Sequence, residues 1–187
     1  MTEAHRRKKQ PDLVRADLLR SAAEIAAAEG MPAVTLDAVA ARAGVTRGGL
    51  QHHFRSKQAL LEALFCEMRQ QFAADIAAEA TADPHEHGRM TRAYVRVVTR
   101  EPATDGEANA MRALLAVLLT EPELRERWSD WWSQTTVAEA AATDTAKLAI
   151  CRLAADGLWM STLLDFEAIS PALRSEVIRQ LESDTHA

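Results

Sequence analysis

The stretch from Gly44 to Phe54 reads GVTRGGLQHHF and gathers several kinds of hydrogen-bond donor: the Thr46 hydroxyl, the Arg47 guanidinium, the Gln51 amide and the His52 imidazole. The Lys57 ammonium follows closely. This set suits an anionic surface rich in acceptors, and it contains no nucleophile paired with a base. Gly48 and Gly49 sit among the donors, although glycine in a helix interior costs about 1 kcal/mol relative to alanine. At about 100° per residue, Leu50, His53 and Phe54 share one side of a wheel. Gly48 and His52 lie opposite, with Arg47 and Gln51 on the flank. Apolar anchors on one side and a gap flanked by donors on the other describe a helix laid against a large surface. The absent Cβ lets the backbone approach closely.

Three other constellations invite chemistry. Trp128, Trp131 and Trp132 have i, i+3, i+4 spacing and share a helix face. Such a stripe is either core or the wall of a concave site for a small molecule. His85-Glu86-His87 lies beside Pro84 with no third ligand nearby, so it reads as a loop rather than a metal site. The two cysteines, Cys66 and Cys151, have no metal-like spacing, which points to a reduced protein of the cytoplasm. No G-x-S-x-G, phosphate-cradling glycine loop or paired His/Cys nucleophile occurs. No enzyme activity, cofactor or metal is expected.

The elements that must position these residues are helical throughout. Gly30 stops a helix over 12–29 that carries Leu18, Ala22, Ile25 and Ala26 on one face. Thr35 caps a short helix over 36–43, Gly44 ends it, and Thr46 caps the segment described above. Ser56 caps a long helix with Leu60, Leu61, Leu64, Phe65, Met68, Phe72 and Ile76 on its stripe. After the break at Pro84 come a helix with Met90, Tyr94, Val97 and Val98, the EPATDG break, and NAMRALLAVLLT. Pro122 opens the tryptophan helix, which continues into TTVAEAAA. Asp144 opens a helix over 144–165 that is apolar on more than one side, and Pro171 starts the last one, with Leu173, Val177, Ile178 and Leu181. The expectation is an all-α fold of about nine helices. The divisions are a basic arm over 1–10, a helix-turn-helix unit over 11–56 and a helical body over 57–187.

Charge follows the same division. Residues 1–58 hold ten Lys/Arg against six Asp/Glu, and residues 59–187 hold twelve against twenty-one, giving the formal net charge of −5. A basic front on an acidic body suits a polyanion partner at one end. The arm His5 to Lys9 either tracks phosphates or is a solubilising tail. With 48% apolar residues the chain is globular, and no run approaches the ~20 residues of a membrane span.

The short helix, the Ala43-Gly44-Val45 turn and the glycine-bearing segment together make a helix-turn-helix, whose second helix enters the DNA major groove. Here the chain resembles the DNA-binding domain of the tetracycline-repressor (TetR) family. The resemblance rests on Gly30, Thr35, Val39-Ala40, Ala43-Gly44-Val45-Thr46, Gly48, Leu50, His53-Phe54, Ser56-Lys57 and Leu60, over about residues 12–65. Beyond that, RLAADGLWMSTLL and PALRSEVIRQL are similar to the last two helices of many members. Two positions depart from the family pattern: Gln51 replaces the usual Tyr, and Gly49 replaces Thr, Ala or Ser. Gln51 is left with either a phosphate or an adenine edge as its partner.

The resemblance implies a homodimeric repressor that binds a palindromic double-stranded operator and is released by a small-molecule effector. The implied DNA-facing set is Thr35, Thr46, Arg47, Gly48, Gly49, Gln51, His52 and Lys57, with Arg47 and Gln51 as base readers and His53 as packing. Candidate effector residues are Phe72, Met90, Tyr94, Met111, Arg112, Leu115, Leu118, Trp128, Trp131, Trp132 and Trp159. An aromatic cage in an acidic body suits an organic cation. A neutral apolar ligand fits equally, and Arg112 would suit a carboxylate. The doubly apolar helix over 144–165, with the last helix, forms the expected dimer face: Leu153, Gly157, Leu158, Leu173, Val177 and Leu181. Two rivals remain at this point. One is a helical ligand carrier or enzyme that has lost DNA binding, and the other is an architectural DNA-binding protein without an effector.

Overall fold

Side-chain hydroxyls start most of the helices. In the computed structural model, residues 11–134, 145–164 and 169–186 are described. They form α1 (Pro11–Glu29), a 3-10 turn (Met31–Ala33), α2 (Leu36–Arg42), α3 (Arg47–Gln51) and α4 (Lys57–Ala82). Then come α5 (Arg89–Thr99), α6 (Asp105–Thr120), α7 (Pro122–Trp132), α8 (Ala146–Leu163) and α9 (Pro171–Asp184). Thr35, Thr46 and Ser56 accept from the backbone N–H of Ala38, Gly49 and Ala59 at 3.1, 3.1 and 3.0 Å. Each bond satisfies an amide that the first helical turn leaves without a partner. Gly30 and Gly44 take φ of 83° and 65°, which is why glycine stands at those two breaks.

The described residues contain no strand, and among them are nine α-helices. Two starts differ from expectation. Helix α6 begins at Asp105, inside the expected break, because the Thr104 hydroxyl accepts from Glu107 N–H at 3.2 Å and captures the first turn. Helix α8 is capped by Thr145, which accepts from Leu148 N–H at 3.3 Å. The expected opening residue Asp144, the arm His5 to Lys9 and the continuation TTVAEAAA lie outside the described residues.

Two apolar cores share α4. The first joins Leu18, Leu19, Ala22 and Ile25 of α1 to Val39, Leu50, Phe54, Leu60, Leu61 and Phe65, and continues into Ala113, Val117 and Leu124 of α6 and α7. The second joins Ile76 and Ala80, near the far end of α4, to α5, α8 and α9. Helix α4 has 26 residues, so at 1.5 Å per residue it is long enough to reach both. Phe72 sits where the two cores meet.

A buried guanidinium ties the far end together. Arg92 is 0% exposed, and its Nε and Nη2 donate to the Asp83 carboxylate at 2.7 and 3.1 Å. Its Nη2 also donates to the carbonyl of His85, and its Nη1 to the carbonyls of His87 and Thr185. Gly88 follows with φ 67°, and a Cβ there would lie 2.1 Å from the Thr185 oxygen. The loop at His85-Glu86-His87 thus supplies carbonyls to an arginine. Among the described residues no three His, Cys, Asp or Glu side chains group as a metal site.

Candidate nucleic-acid interface and ligand cavity

Helix α3 is five residues long and held from behind. Leu50 and Phe54 are buried at 0% and 3% exposure, as the wheel requires. Outward lie Thr46, Arg47, Gly48, Gln51 and His52, all exposed, while His53 is half-buried. A Cβ on Gly48 would meet nothing within 4 Å, so the space over it is open to whatever docks there. A Cβ on Gly49 would meet Thr46 Oγ1 at 3.3 Å, the oxygen that makes the cap. That hydroxyl and the one on Thr35 accept from the backbone, which leaves their protons to donate outward.

Two cations of this set have partners inside the chain. Arg47 pairs with Asp37 on α2. Lys57 Nζ donates to the Met31 carbonyl at 3.0 Å and is half-buried. An ammonium has three donors, so Lys57 keeps hydrogens for a phosphate while pinning the 3-10 turn to the start of α4.

A cavity of about 1070 Å³ opens between the two cores. Phe72, Tyr94, Met111, Leu118, Trp128, Trp132 and Trp159 line it, seven of the residues expected there. Phe72 is the hub, with ring centroids of Tyr94, Trp128 and Trp132 at 6.2, 5.7 and 6.3 Å. Four expected residues do not line the cavity. Trp131 packs against Trp128 and Phe72, with ring centroids at 5.1 and 6.2 Å, and carries the Arg69 guanidinium over its ring at 5.5 Å. Met90 packs on the second core. Leu115 is absent from the wall, one residue from Leu114, which lines it. Arg112 lines a separate, smaller cavity with Thr162 and Leu163, and makes long contacts of 3.4 and 3.5 Å to the Leu163 carbonyl and Asn109.

The cavity also has walls that the sequence did not suggest. Ala16, Leu19, Arg20, Ala23 and Glu24 place α1 against it, and Asp156 of α8 enters the aromatic side. The Tyr94 hydroxyl donates to the Asp156 carboxylate. Burial raises the Asp156 pKa above the ordinary carboxylate value, while the Tyr94 bond and the charge of Arg152 pull it down. Burial and the Asp156 charge together push the Tyr94 phenol above its usual value, so it stays a neutral donor. The signal available in sequence was the one acidic residue of this helix, four positions after Arg152.

On the other side of α8 the chain is open. Ile150, Leu153 and Leu164 are 63%, 69% and 54% exposed, and Leu173 of α9 is 46% exposed. A Cβ on Gly157 would meet nothing within 4 Å, and Val177 is half-buried. Leu158 and Leu181 point inward at 8% and 7% exposure, packed in the second core. They correct the expected dimer set: a helix apolar all round does not announce which side its own chain covers. Among the described residues no helix is long and apolar enough to cross a membrane.

Residues 88–186 match the family model "Tetracyclin repressor-like, C-terminal domain", and residues 18–64 match "Bacterial regulatory proteins, tetR family". A 58-residue segment is 36% identical to the uncharacterized HTH-type transcriptional regulator TtgW of Pseudomonas putida. That segment is 31% of this chain and 43% of TtgW, so the match spans less than half of that relative. A putative TetR-family transcriptional regulator from Rhodococcus sp. has the same fold at TM-score 0.70, with 18% identity over 93% of this chain and 99% of that one. The multidrug binding protein EbrR, solved with malachite green, superposes at TM-score 0.66 with 21% identity, covering 92% of this chain and 98% of EbrR.

Proposed function

The chain belongs to the TetR family of transcriptional regulators, and we propose that it is a homodimeric repressor released from a palindromic operator by a small molecule bound in the 1070 Å³ cavity. The observation that carries this reading is the double membership of the cavity wall. Arg20 and Glu24 come from α1, beside the helix-turn-helix, while Trp132 and Trp159 come from the helices of the body. Helix α4 starts at the cap Ser56, close after α3, and passes the cavity at Phe72. A molecule wedged there changes how α1 and α4 sit on α6. In a dimer that alters the spacing of two α3 helices, and operators have fixed half-site spacing. The effect can be no larger than the ligand's preference for the non-binding state, typically about 1–3 kcal/mol.

Several features support the assignment of parts. Thr35, Thr46, Arg47, Gln51, His52 and Lys57 face the DNA, and Gly48 and Gly49 admit the backbone. The open face of Ile150, Leu153, Gly157 and Leu173 pairs with its copy. The working divisions remain 11–56 for DNA and 57–187 for ligand and dimer, with the first core bridging them. EbrR, a multidrug binding protein of the same fold, supports a ligand role for the body. A DNA regulator works where the DNA is, which suits the cytoplasm. The test is a band shift with the DNA upstream of the protein's own coding region. A retarded complex at nanomolar to sub-micromolar protein is expected, and no complex at low salt would leave the ligand carrier as the better reading.

A further inference from the structure

Resting on the reading that the chain binds DNA through α3, we propose that Arg55 is the principal phosphate-binding side chain of the helix-turn-helix. It lies outside the DNA-facing set read from the sequence. The folded part of this unit carries little net charge. Residues 11–58 hold six Lys/Arg against five Asp/Glu, while residues 1–10 hold four against one. What a cation can offer a polyanion therefore depends on whether its own chain already holds it.

Five of the six cations over 11–58 are held. Arg15 faces Glu67 at 3.7 Å, Arg20 pairs with Glu24 at 2.9 Å, Arg42 with Glu29 at 2.9 Å and Arg47 with Asp37 at 2.8 Å. Lys57 donates to the Met31 carbonyl at 3.0 Å and is half-buried. Arg55 is exposed and, among the described residues, has neither a carboxylate nor a hydrogen-bond partner. A guanidinium beside a carboxylate meets a phosphate only by sharing that partner, whose negative charge repels the phosphate. A free guanidinium offers its whole charge and its fork of N–H groups.

The backbone under Arg55 is held from both sides. The Phe54 N–H donates to the Leu50 carbonyl at 2.9 Å, and the Phe54 ring is buried, with the Arg15 guanidinium 5.4 Å from its centroid. On the other side Ser56 Oγ accepts from Ala59 N–H at 3.0 Å and starts α4. A free side chain thus stands on a fixed base. Recognition helices meet base edges through their N-terminal residues. Helix α3 runs from Arg47 to Gln51, so Arg55 follows its C-terminal end. That position suits the wall of the groove, where the phosphates are, rather than its floor. A contact there sets the position of α3 without reading sequence.

The test measures the affinity of the full-length protein for operator and for an unrelated duplex by fluorescence anisotropy, from about 50 to about 200 mM salt. Arg55→Gln should flatten the plot of log affinity against log salt by about 0.9 for each protomer, or about 1.8 for a dimer. Both duplexes should weaken together, so their affinity ratio should hold within about twofold. Arg55→Lys should restore most of the slope, because counterion release follows charge. Arg42→Gln removes the same charge from the same unit at a paired position and should leave the slope unchanged. Circular dichroism should match the wild type for both Arg55 variants, since the side chain has no partner to lose. A wild-type slope for Arg55→Gln, or an equal flattening by Arg42→Gln, overturns the proposal. Weakening confined to the operator makes Arg55 a base reader and overturns the phosphate role. A wild-type protein that binds neither duplex at the lowest salt overturns the DNA reading itself, and this proposal with it.

Discussion

The guanidinium of Arg47 lies against the carboxylate of Asp37, with Nη1 3.0 Å from one oxygen and 2.8 Å from the other. The pair links α2 to α3 across the turn, and both side chains are well exposed, at 60% and 65%. An exposed pair of this kind contributes about 0–1 kcal/mol to stability. In the proposed DNA complex its weight falls on recognition instead, because Arg47 would have to give up or share Asp37 to meet a guanine edge with two N–H groups. Arg47→Ala should weaken operator binding by about 1–3 kcal/mol and relax the preference at one base position. Asp37→Asn should strengthen binding by up to about 1 kcal/mol, most visibly at low salt. Band shifts with the operator and with scrambled DNA measure both. Weaker binding by Asp37→Asn would mean that the carboxylate orients Arg47 rather than competing for it.

Gly48 separates recognition from folding. Nothing within 4 Å meets an added Cβ, so Gly48→Ala costs the free protein no contact, and it removes a helix-weakening glycine worth about 1 kcal/mol. The melting temperature should hold or rise slightly while operator affinity falls, because in the proposed complex the methyl group would occupy space given to the DNA backbone. Unchanged affinity at moderate salt would show that α3 does not approach DNA through this face.

Local chemistry was the legible part of the chain. Thr35, Thr46 and Ser56 announce helix starts because a cap needs only its own next turn. Tertiary assignments were harder. Trp131 and Trp132 share a stripe, yet only Trp132 reaches the cavity, since a 100° wheel cannot tell a wall from the layer behind it. Asp156 was missed because its meaning comes from Tyr94, 62 residues away. The α1 wall was missed because Arg20 and Glu24 look like an ordinary i, i+4 surface pair. Leu158 and Leu181 were assigned to the dimer because α8 is apolar on both sides.

The dimer can now be tested on residues that the protomer itself does not use. Leu153 is 69% and Ile150 63% exposed, three positions apart on one face of α8. Leu153→Glu should leave the helical circular dichroism intact and lower the mass seen by light scattering at micromolar concentration to one chain. Leu158→Glu should unfold the chain instead, because it buries a charge in the second core. A wild-type protein that scatters as a monomer would remove the isologous interface. A Leu153→Glu variant that remains a dimer would move it to another surface.

The Arg92 clamp makes a prediction about acid. Hydrogen bonding from Arg92 holds the Asp83 carboxyl far below the ordinary carboxylate range, helped by the His85 N–H and the Arg96 charge and opposed by burial. A folded-state pKa depressed in this way gives stability that is present above the unfolded value, near 3.9, and lost as pH falls towards the folded one. The wild type should therefore lose stability progressively below about pH 4. Asp83→Asn removes one partner and leaves the Arg92 guanidinium buried without its countercharge, which costs about 3–5 kcal/mol at pH 7. The variant should melt far lower at pH 7, and its melting temperature should fall less between pH 5 and pH 3. Both comparisons need one fixed protein concentration, because dimerisation would add its own stability. Gly88→Ala should be destabilising for the separate reason that its methyl group strikes the Thr185 carbonyl. An Asp83→Asn protein that melts with the wild type at pH 7 would show that the clamp is not what holds the end of α9 to the α4–α5 loop.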